Sequence, residues 1–139
     1  NVNVITGSEG YVRGASGGHS DTASGAKLTV VACPSFRGRI PIIKKRVHTV
    51  VTPGETVHVL VTERGIAVNP AFKELEENLR KAGLNIKDIH DLEIEVDKIT
   101  GVPGPLEYTD KIVGIVEYRD GTVIDVIHQL LEKSDYKLY

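Results

Sequence analysis

The chain has a single cysteine, Cys33, and no methionine. One cysteine excludes an internal disulfide framework and fits a reducing compartment, so a cytoplasmic location is expected. With no methionine to start it, the chain opens on a strand-like Val2-Asn3-Val4-Ile5-Thr6. It is expected to be a piece of a longer polypeptide. Charge of one sign is also lacking: 17 Lys and Arg against 19 Asp and Glu give a net charge of −2. That leaves no electrostatic case for nucleic acid or an anionic membrane surface. No apolar run approaches the ~20 residues of a membrane span. Two phosphate-binding signatures are missing as well. There is no G-x-x-x-x-G-K-[ST], and no G-x-G-x-x-G directly after a strand, which disfavours nucleotide binding by either route. The 139 residues suit one domain, 1–139, with a sizeable core.

What is present is concentrated between Gly14 and Ala26, which read G-A-S-G-G-H-S-D-T-A-S-G-A. Gly14, Gly17 and Gly18 allow positive φ and close backbone approach to a ligand. Ser16, His19, Ser20, Asp21 and Thr22 put polar groups into the same small space, and Ser20 or Asp21 is placed to cap a helix running toward Ala26. A glycine loop feeding a helix start gathers unpaired N–H groups. It suits a phosphate, a carboxylate or the oxyanion of an acyl-transfer intermediate. The plain alternative is a surface turn.

Along the rest of the chain the pattern alternates between strand and helix. Lys27–Ala32, Ile40–Ile43, Val47–Val51 and Val57–Thr62 read as strands, the first and last buried. Pro34–Arg39 is a basic loop, Thr52-Pro53-Gly54-Glu55 a turn and Glu63-Arg64-Gly65 another loop. Pro70–Ala82 reads as a helix with Leu75, Leu79 and Ala82 inward and Gly83 at its end. Ile86–Ile99 reads as a second, with Ile89, Leu92, Val96 and Ile99 inward. Ile112–Tyr118 and Thr122–His128 flank Asp120-Gly121, a strong hairpin signal. The expected fold class is α/β: an open, mostly parallel sheet with a C-terminal β-hairpin. Ligands of such sheets bind beyond the carboxyl ends of strands. The glycine loop, the Arg37/Arg39 loop and Glu63-Arg64-Gly65-Ile66-Ala67 would make one site if they share an edge.

Arg37 and Arg39 flank a glycine at a strand exit, where bidentate binding of phosphate or carboxylate competes with a solvated surface pair. The run Lys44-Lys45-Arg46 is more simply a solvated face. His90, Asp91, Glu93, Glu95 and Asp97 do not share one helix face in a way that completes a coordination shell, so no metal is expected. His48, His58 and His128 read as structural histidines. Cys33, before Pro34, reads as a buried small hydrophobe. Ser16 and Ser20 lie near His19, but neither sits in a G-x-S-x-G elbow.

Taken together, G-A-S-G-G-H-S-D-T-A (Gly14–Ala23), R-G-R-I-P (Arg37–Pro41), V-T-P-G (Val51–Gly54), V-L-V-T-E-R-G-I-A-V-N-P (Val59–Pro70) and Y-R-D-G-T-V-I-D-V-I (Tyr118–Ile127) resemble the C-terminal part of the citrate lyase alpha subunit family. G-G-x-x-D (Gly17–Asp21) and V-T-E-x-G-I-A (Val61–Ala67) are also similar to segments of the wider acyl-CoA transferases and hydrolases.

The resemblance implies a sheet of the CoA-transferase, Rossmann-like type. It implies exchange of acetate for citrate on a thioester of CoA or phosphoribosyl-dephospho-CoA, held by an acyl carrier protein, with no permanently bound cofactor. The implied partners are the carrier (gamma) subunit, the beta subunit and further alpha copies. In this reading Gly17 and Gly18 stabilise an oxyanion, while His19 and Asp21 orient a carboxylate or the loop. Gly14, Ser16, Ser20, Thr22, Arg37, Arg39, Thr62, Glu63, Gly65, Ile66 and Ala67 line the substrate. Ser8-Glu9-Gly10 is similar to the glutamate context of transferases that form a covalent thioester. The citrate lyase type instead works through a ternary complex, so Glu9 is expected to sit in a surface turn between Thr6 and Tyr11 and point to solvent. Two further readings remain open from the residues alone: a binding module for a CoA-like arm, and a sugar-phosphate isomerase-like domain with Asp21 as acid/base.

Overall fold

In the computed structural model the described residues are 1–131. The last part of the expected 1–139 domain therefore lies outside them. The class is α/β: helices α1 (His19–Gly25), α2 (Lys73–Lys81) and α3 (Ile89–Thr100) accompany β1 (Val30–Ala32), β2 (Phe36–Arg37), β3 (Ile40–Pro41), β4 (Val59–Thr62), β5 (Gly65–Val68), β6 (Tyr108–Glu117) and β7 (Val123–Leu130). None of these helices is long and apolar enough to cross a membrane.

The sheet differs from the expectation of a mostly parallel one. Among the described residues β1 and β4 form a parallel pair, with Val31 opposite Leu60. The pairs β2–β3, β4–β5 and β6–β7 are antiparallel. The reason is local. Glu63-Arg64, read as a loop, is a two-residue connection that folds the chain straight back, so Thr62 pairs with Gly65. The Thr62 hydroxyl closes the turn by donating to the Gly65 carbonyl at 2.9 Å and accepting the Arg64 amide at 3.2 Å. The resulting sheet has the order β1-β4-β5.

The 34–43 segment also departs from a simple loop and strand. Arg37 pairs with Ile40, leaving Gly38-Arg39 as a two-residue hairpin turn. Gly38 has φ +60 while Arg39 is not in the left-handed region, which is the pattern of a turn with glycine at its first central position. Val47–Val51 forms no strand. It is held at separate points: Val51 N–H donates to the Val2 carbonyl at 2.9 Å, and Asp125 accepts the Val50 amide at 2.6 Å.

Helix α3 begins three residues later than its apolar spacing suggests. Asp88, in an extended conformation, caps it by accepting the His90 amide. Ile86 instead makes a parallel bridge to Ile66. Gly101, at φ +75, ends the helix. Leu92 and Val96 are fully buried, whereas Ile89 and Ile99 are about half exposed, so the inward stripe is narrower than the spacing implied. Helix α2 starts at Lys73, after Pro70, and buries no residue fully.

Two apolar clusters result. Ile43, Ala67, Leu92 and Val96 form one, with Cys33, Phe36 and Leu60 against it; it joins α3 to the three-stranded sheet and to the 36–43 hairpin. Ile5, Val51 and Val116 form the other, with Ile124 and Ile127, and seat the β6–β7 ribbon on the amino-terminal segment. The Asp120-Gly121 turn falls where expected. Tyr118 and Thr122 close it, and Asp120 accepts both the amide and the hydroxyl of Thr122.

Candidate functional site

The parallel pair gives the molecule a direction. The carboxyl end of β1 runs into Pro34-Ser35 and the β2–β3 hairpin, and the carboxyl end of β4 runs into Glu63-Arg64. These two exits are tied together. Ser35, fully buried, donates its amide to Glu63 Oε2 at 2.9 Å and its hydroxyl to Glu63 Oε1. The Ser35 hydrogen bonds hold the Glu63 carboxyl below the usual glutamate range. The Ser35 carbonyl accepts the amides of Ile42 and Ile43 at 2.9 and 3.2 Å, closing the hairpin base. On the inner face, Arg64 lies 5.3 Å from the Phe36 ring centroid, a cation–π distance.

Because residues alternate across a strand, Phe36 packs inward and Arg37 faces the other way. Arg37 lines a cleft of about 640 Å³ together with Cys33, Lys44, His48, Asn3 and the Ser8–Glu9 turn. Lys44 Nζ donates to His48 Nε2 at 3.2 Å. Burial, and then the Lys44 charge, push the His48 pKa down, so the imidazole stays neutral and accepts. Cys33 is half-buried in the wall. Burial, and then Glu63, push its thiol pKa up, which disfavours the nucleophilic thiolate. Glu9 sits in a turn closed by Gly10 N–H to the Gly7 carbonyl, is partly exposed, and pairs with Arg13 at 2.5 Å. The expected turn is therefore present, but Glu9 lines the cleft beside Arg13 instead of pointing freely to solvent.

The glycine loop is built differently. Gly17 has φ +53, and a Cβ there would meet no atom within 4 Å; at Gly18 it would meet only the Thr22 hydroxyl, at 3.7 Å. Gly14 is equally open. Gly18 itself, not Ser20 or Asp21, stands at the N-cap of α1, and no side chain caps the helix. Ser20 and Asp21 fall inside the first turn, because the helix begins at His19, whereas a Ser20 cap would need it to begin at Asp21. The His19 amide donates to the Ser16 carbonyl at 3.2 Å, and the Thr22 amide to Gly18. His19 Nδ1 lies 2.6 Å from the hydroxyl of buried Thr52, in the turn ahead of β4. Asp21 and Thr22 are exposed.

The structure thus joins Thr62, Glu63 and Gly65 to the Arg37/Arg39 hairpin through Ser35. It ties the glycine loop to the Thr52 turn instead, and no glycine-loop residue lines the Arg37 cleft. Arg39 stands exposed at the hairpin tip. Ala67 is buried under α3, and Ile66 is bridged to Ile86. Sequence reasoning missed Ser35, whose partner lies 28 positions away; no periodic or motif signal links the two. It also placed Lys44 on a solvated face.

Comparison with known proteins settles the kinship. The family model described as citrate lyase, alpha subunit (CitF) matches residues 1–130. The chain belongs to the citrate lyase alpha subunit family. Citrate lyase alpha chains from Klebsiella pneumoniae and Escherichia coli K12 are 57% and 52% identical over 94% and 95% of this chain. This chain spans 26% of the length of each. A solved structure described as an alpha subunit of citrate lyase in complex with citrate, from Streptococcus mutans, superposes with a TM-score of 0.91 at 50% identity. It matches 95% of this chain and 26% of its own.

Proposed function

We propose that this chain is the part of a citrate lyase alpha subunit that binds and positions substrates for acyl exchange: acetyl thioester plus citrate gives citryl thioester plus acetate. The observation that carries the reading is the Arg37 cleft at the carboxyl end of the parallel pair, with Arg37 and Lys44 on its wall. Citrate is a small trianion, and the cleft's cations Arg37 and Lys44, with Arg13 paired to Glu9 at its rim, suit it, since charge-assisted hydrogen bonds strengthen where water is partly excluded. The citrate held by the Streptococcus mutans relative supports the same ligand class. Arg39, at the exposed tip, is placed to meet the phosphates of a CoA-like arm.

In this reading a citrate carboxylate oxygen attacks the acetyl thioester carbonyl. The tetrahedral oxyanion collapses to a mixed anhydride and expels thiolate. The thiolate then attacks the citryl carbonyl of the anhydride and releases acetate. No side-chain nucleophile is needed; the protein supplies orientation and oxyanion stabilisation. The open amides at Gly17-Gly18 serve the oxyanion, and His19, fixed by Thr52, keeps the loop in place with Asp21 beside it. The glycine loop and the cleft lie on separate supports in this chain, so the remaining alpha subunit completes the site. The thioester is delivered by CoA, or by phosphoribosyl-dephospho-CoA on the acyl carrier (gamma) subunit, and the citryl product passes to the beta subunit. Alpha subunits associate with one another in this assembly, and the sheet is completed toward the CoA-transferase type by the rest of the subunit.

The test is exchange by the full-length alpha subunit given an acetyl thioester and isotopically labelled citrate. Label is expected to enter the thioester pool with stoichiometric acetate release. A folded subunit that moves no label into thioester would overturn the reading.

A further inference from the structure

We infer that Glu63 is a positioning residue that acts through Ser35, setting the hairpin that carries Arg37 rather than touching substrate itself. The inference rests on the proposed anion-binding role of that hairpin. Glu63 comes directly after strand β4, at a strand exit where a carboxylate would ordinarily be read as meeting ligand. Its two oxygens are instead used inside the chain, one on the Ser35 amide and the other on the Ser35 hydroxyl.

Ser35 has no solvent exposure, and every polar group it owns is engaged. Its amide and hydroxyl go to Glu63, and its carbonyl goes to the amides of Ile42 and Ile43. The hairpin base is therefore fixed from both strands through one residue. Arg64 on Phe36 adds a second point of attachment from the same β4–β5 turn. Without Glu63, a buried amide and a buried hydroxyl lose their partner, which a buried site tolerates poorly. The hairpin would then leave the sheet edge and carry Arg37 away from Lys44 and His48.

The charge of Glu63 strengthens the clamp, but the clamp's connectivity does not depend on it. A glutamine can accept the Ser35 amide with its carbonyl and donate to the Ser35 hydroxyl with its amide nitrogen. That separates positioning from substrate contact. The experiment compares Glu63→Gln, Glu63→Ala, Ser35→Ala and the Glu63→Ala/Ser35→Ala double variant in the full-length alpha subunit. It has two readouts: backbone hydrogen exchange across residues 35–43, and citrate KM and kcat in thioester exchange. Both variants should speed exchange of the Ile42 and Ile43 amides and raise citrate KM: Glu63→Ala, which loses both hydrogen bonds, about tenfold, and Ser35→Ala, which loses only the hydroxyl bond, less. The double variant should match Glu63→Ala, because Ser35→Ala removes a bond that Glu63→Ala has already broken. Glu63→Gln should fall between wild type and Glu63→Ala in both readouts. Two results would overturn the inference. One is Ser35→Ala matching wild type while Glu63→Gln and Glu63→Ala both lose turnover, which would put the Glu63 charge on substrate. The other is unchanged hydrogen exchange in Glu63→Ala. If the wild-type subunit shows no thioester exchange at all, the hydrogen-exchange pattern still decides the clamp, and only the functional reading falls.

Discussion

The arginine hairpin and the glycine loop are both short, polar and marked by glycine, yet they are held in opposite ways. The hairpin is gripped from behind: buried Ser35 and Glu63 lock its base, and Phe36 packs on the cluster of Ile43, Ala67, Leu92 and Val96. The glycine loop is held more lightly: a Cβ at Gly17 would meet nothing and one at Gly18 only Thr22, while the His19–Thr52 and Thr29–Ala23 hydrogen bonds tether the helix that follows. The contrast fits a division of labour. A group that must present a fixed charge to an anion benefits from pre-organisation, and a backbone that must approach a reacting carbonyl closely benefits from having no side chains.

The sharpest way to break this comparison is to fill the open loop. Gly17→Val places a branched side chain at φ +53, which is strained, and in the path of a ligand. Acyl exchange by the full subunit should fall about 100- to 1,000-fold, the scale of losing an oxyanion donor. Near-normal turnover would remove the loop from the chemistry. Next is the support under the hairpin. Leu92→Ala deletes a fully buried side chain of the cluster on which Phe36 packs and should cost about 2–5 kcal/mol. Thermal unfolding of the full subunit reports it, and hydrogen exchange should rise in residues 35–43 before it rises in the glycine loop. A smaller effect is expected at the cations themselves: Arg37→Ala or Arg39→Ala should weaken binding of citrate or of the thioester arm by about 1–3 kcal/mol. KM for each substrate, measured separately, assigns the arginine to its ligand, and two unchanged KM values would return it to the solvated surface.

Acid should sharpen the contrast further. The folded pKa of Glu63 is depressed, first by the Ser35 hydroxyl and then by the Ser35 amide. Its stabilising contribution is therefore fully present above the unfolded glutamate value, about 4.3. It is lost as pH falls below that value and through the lower folded one. Hydrogen exchange, corrected for its intrinsic pH dependence, should loosen the hairpin in that acid window. The Glu63→Gln variant should lack the transition. The least effect belongs to Glu9→Gln: Glu9 lines the cleft, but its carboxylate is taken by Arg13, so most exchange activity should persist. A hydroxylamine-sensitive thioester on Glu9 would place the enzyme in the covalent class instead.

What was legible in the sequence is what local chemistry decides. Asp120-Gly121 marked its hairpin because a turn of that kind is written in adjacent residues, and Leu92 and Val96 marked α3 by their helical step. The α3 start was misplaced because the Asp88 cap outweighs the apolar spacing that reaches back to Ile86. Sheet polarity was misread at Glu63-Arg64, where a two-residue reversal is set by the Thr62 hydroxyl bonding across to Gly65, without the usual turn glycine at the tip. The site was only half legible. Gly17 and Gly18 announce themselves by type, whereas the Ser35–Glu63 clamp joins residues 28 apart in chain and exists only once β1 and β4 pair.

The most direct test of the account is a steady-state comparison of Gly18→Ala and Arg37→Ala in the full-length alpha subunit exchanging acetyl thioester with citrate. A Cβ at Gly18 meets only an ordinary contact with Thr22, so the fold should survive in the first variant. The account predicts a fall in kcat with little change in citrate KM for Gly18→Ala, and a rise in citrate KM with a smaller change in kcat for Arg37→Ala. If both variants alter the same kinetic parameter, or neither alters any, loop and hairpin do not divide the work as described.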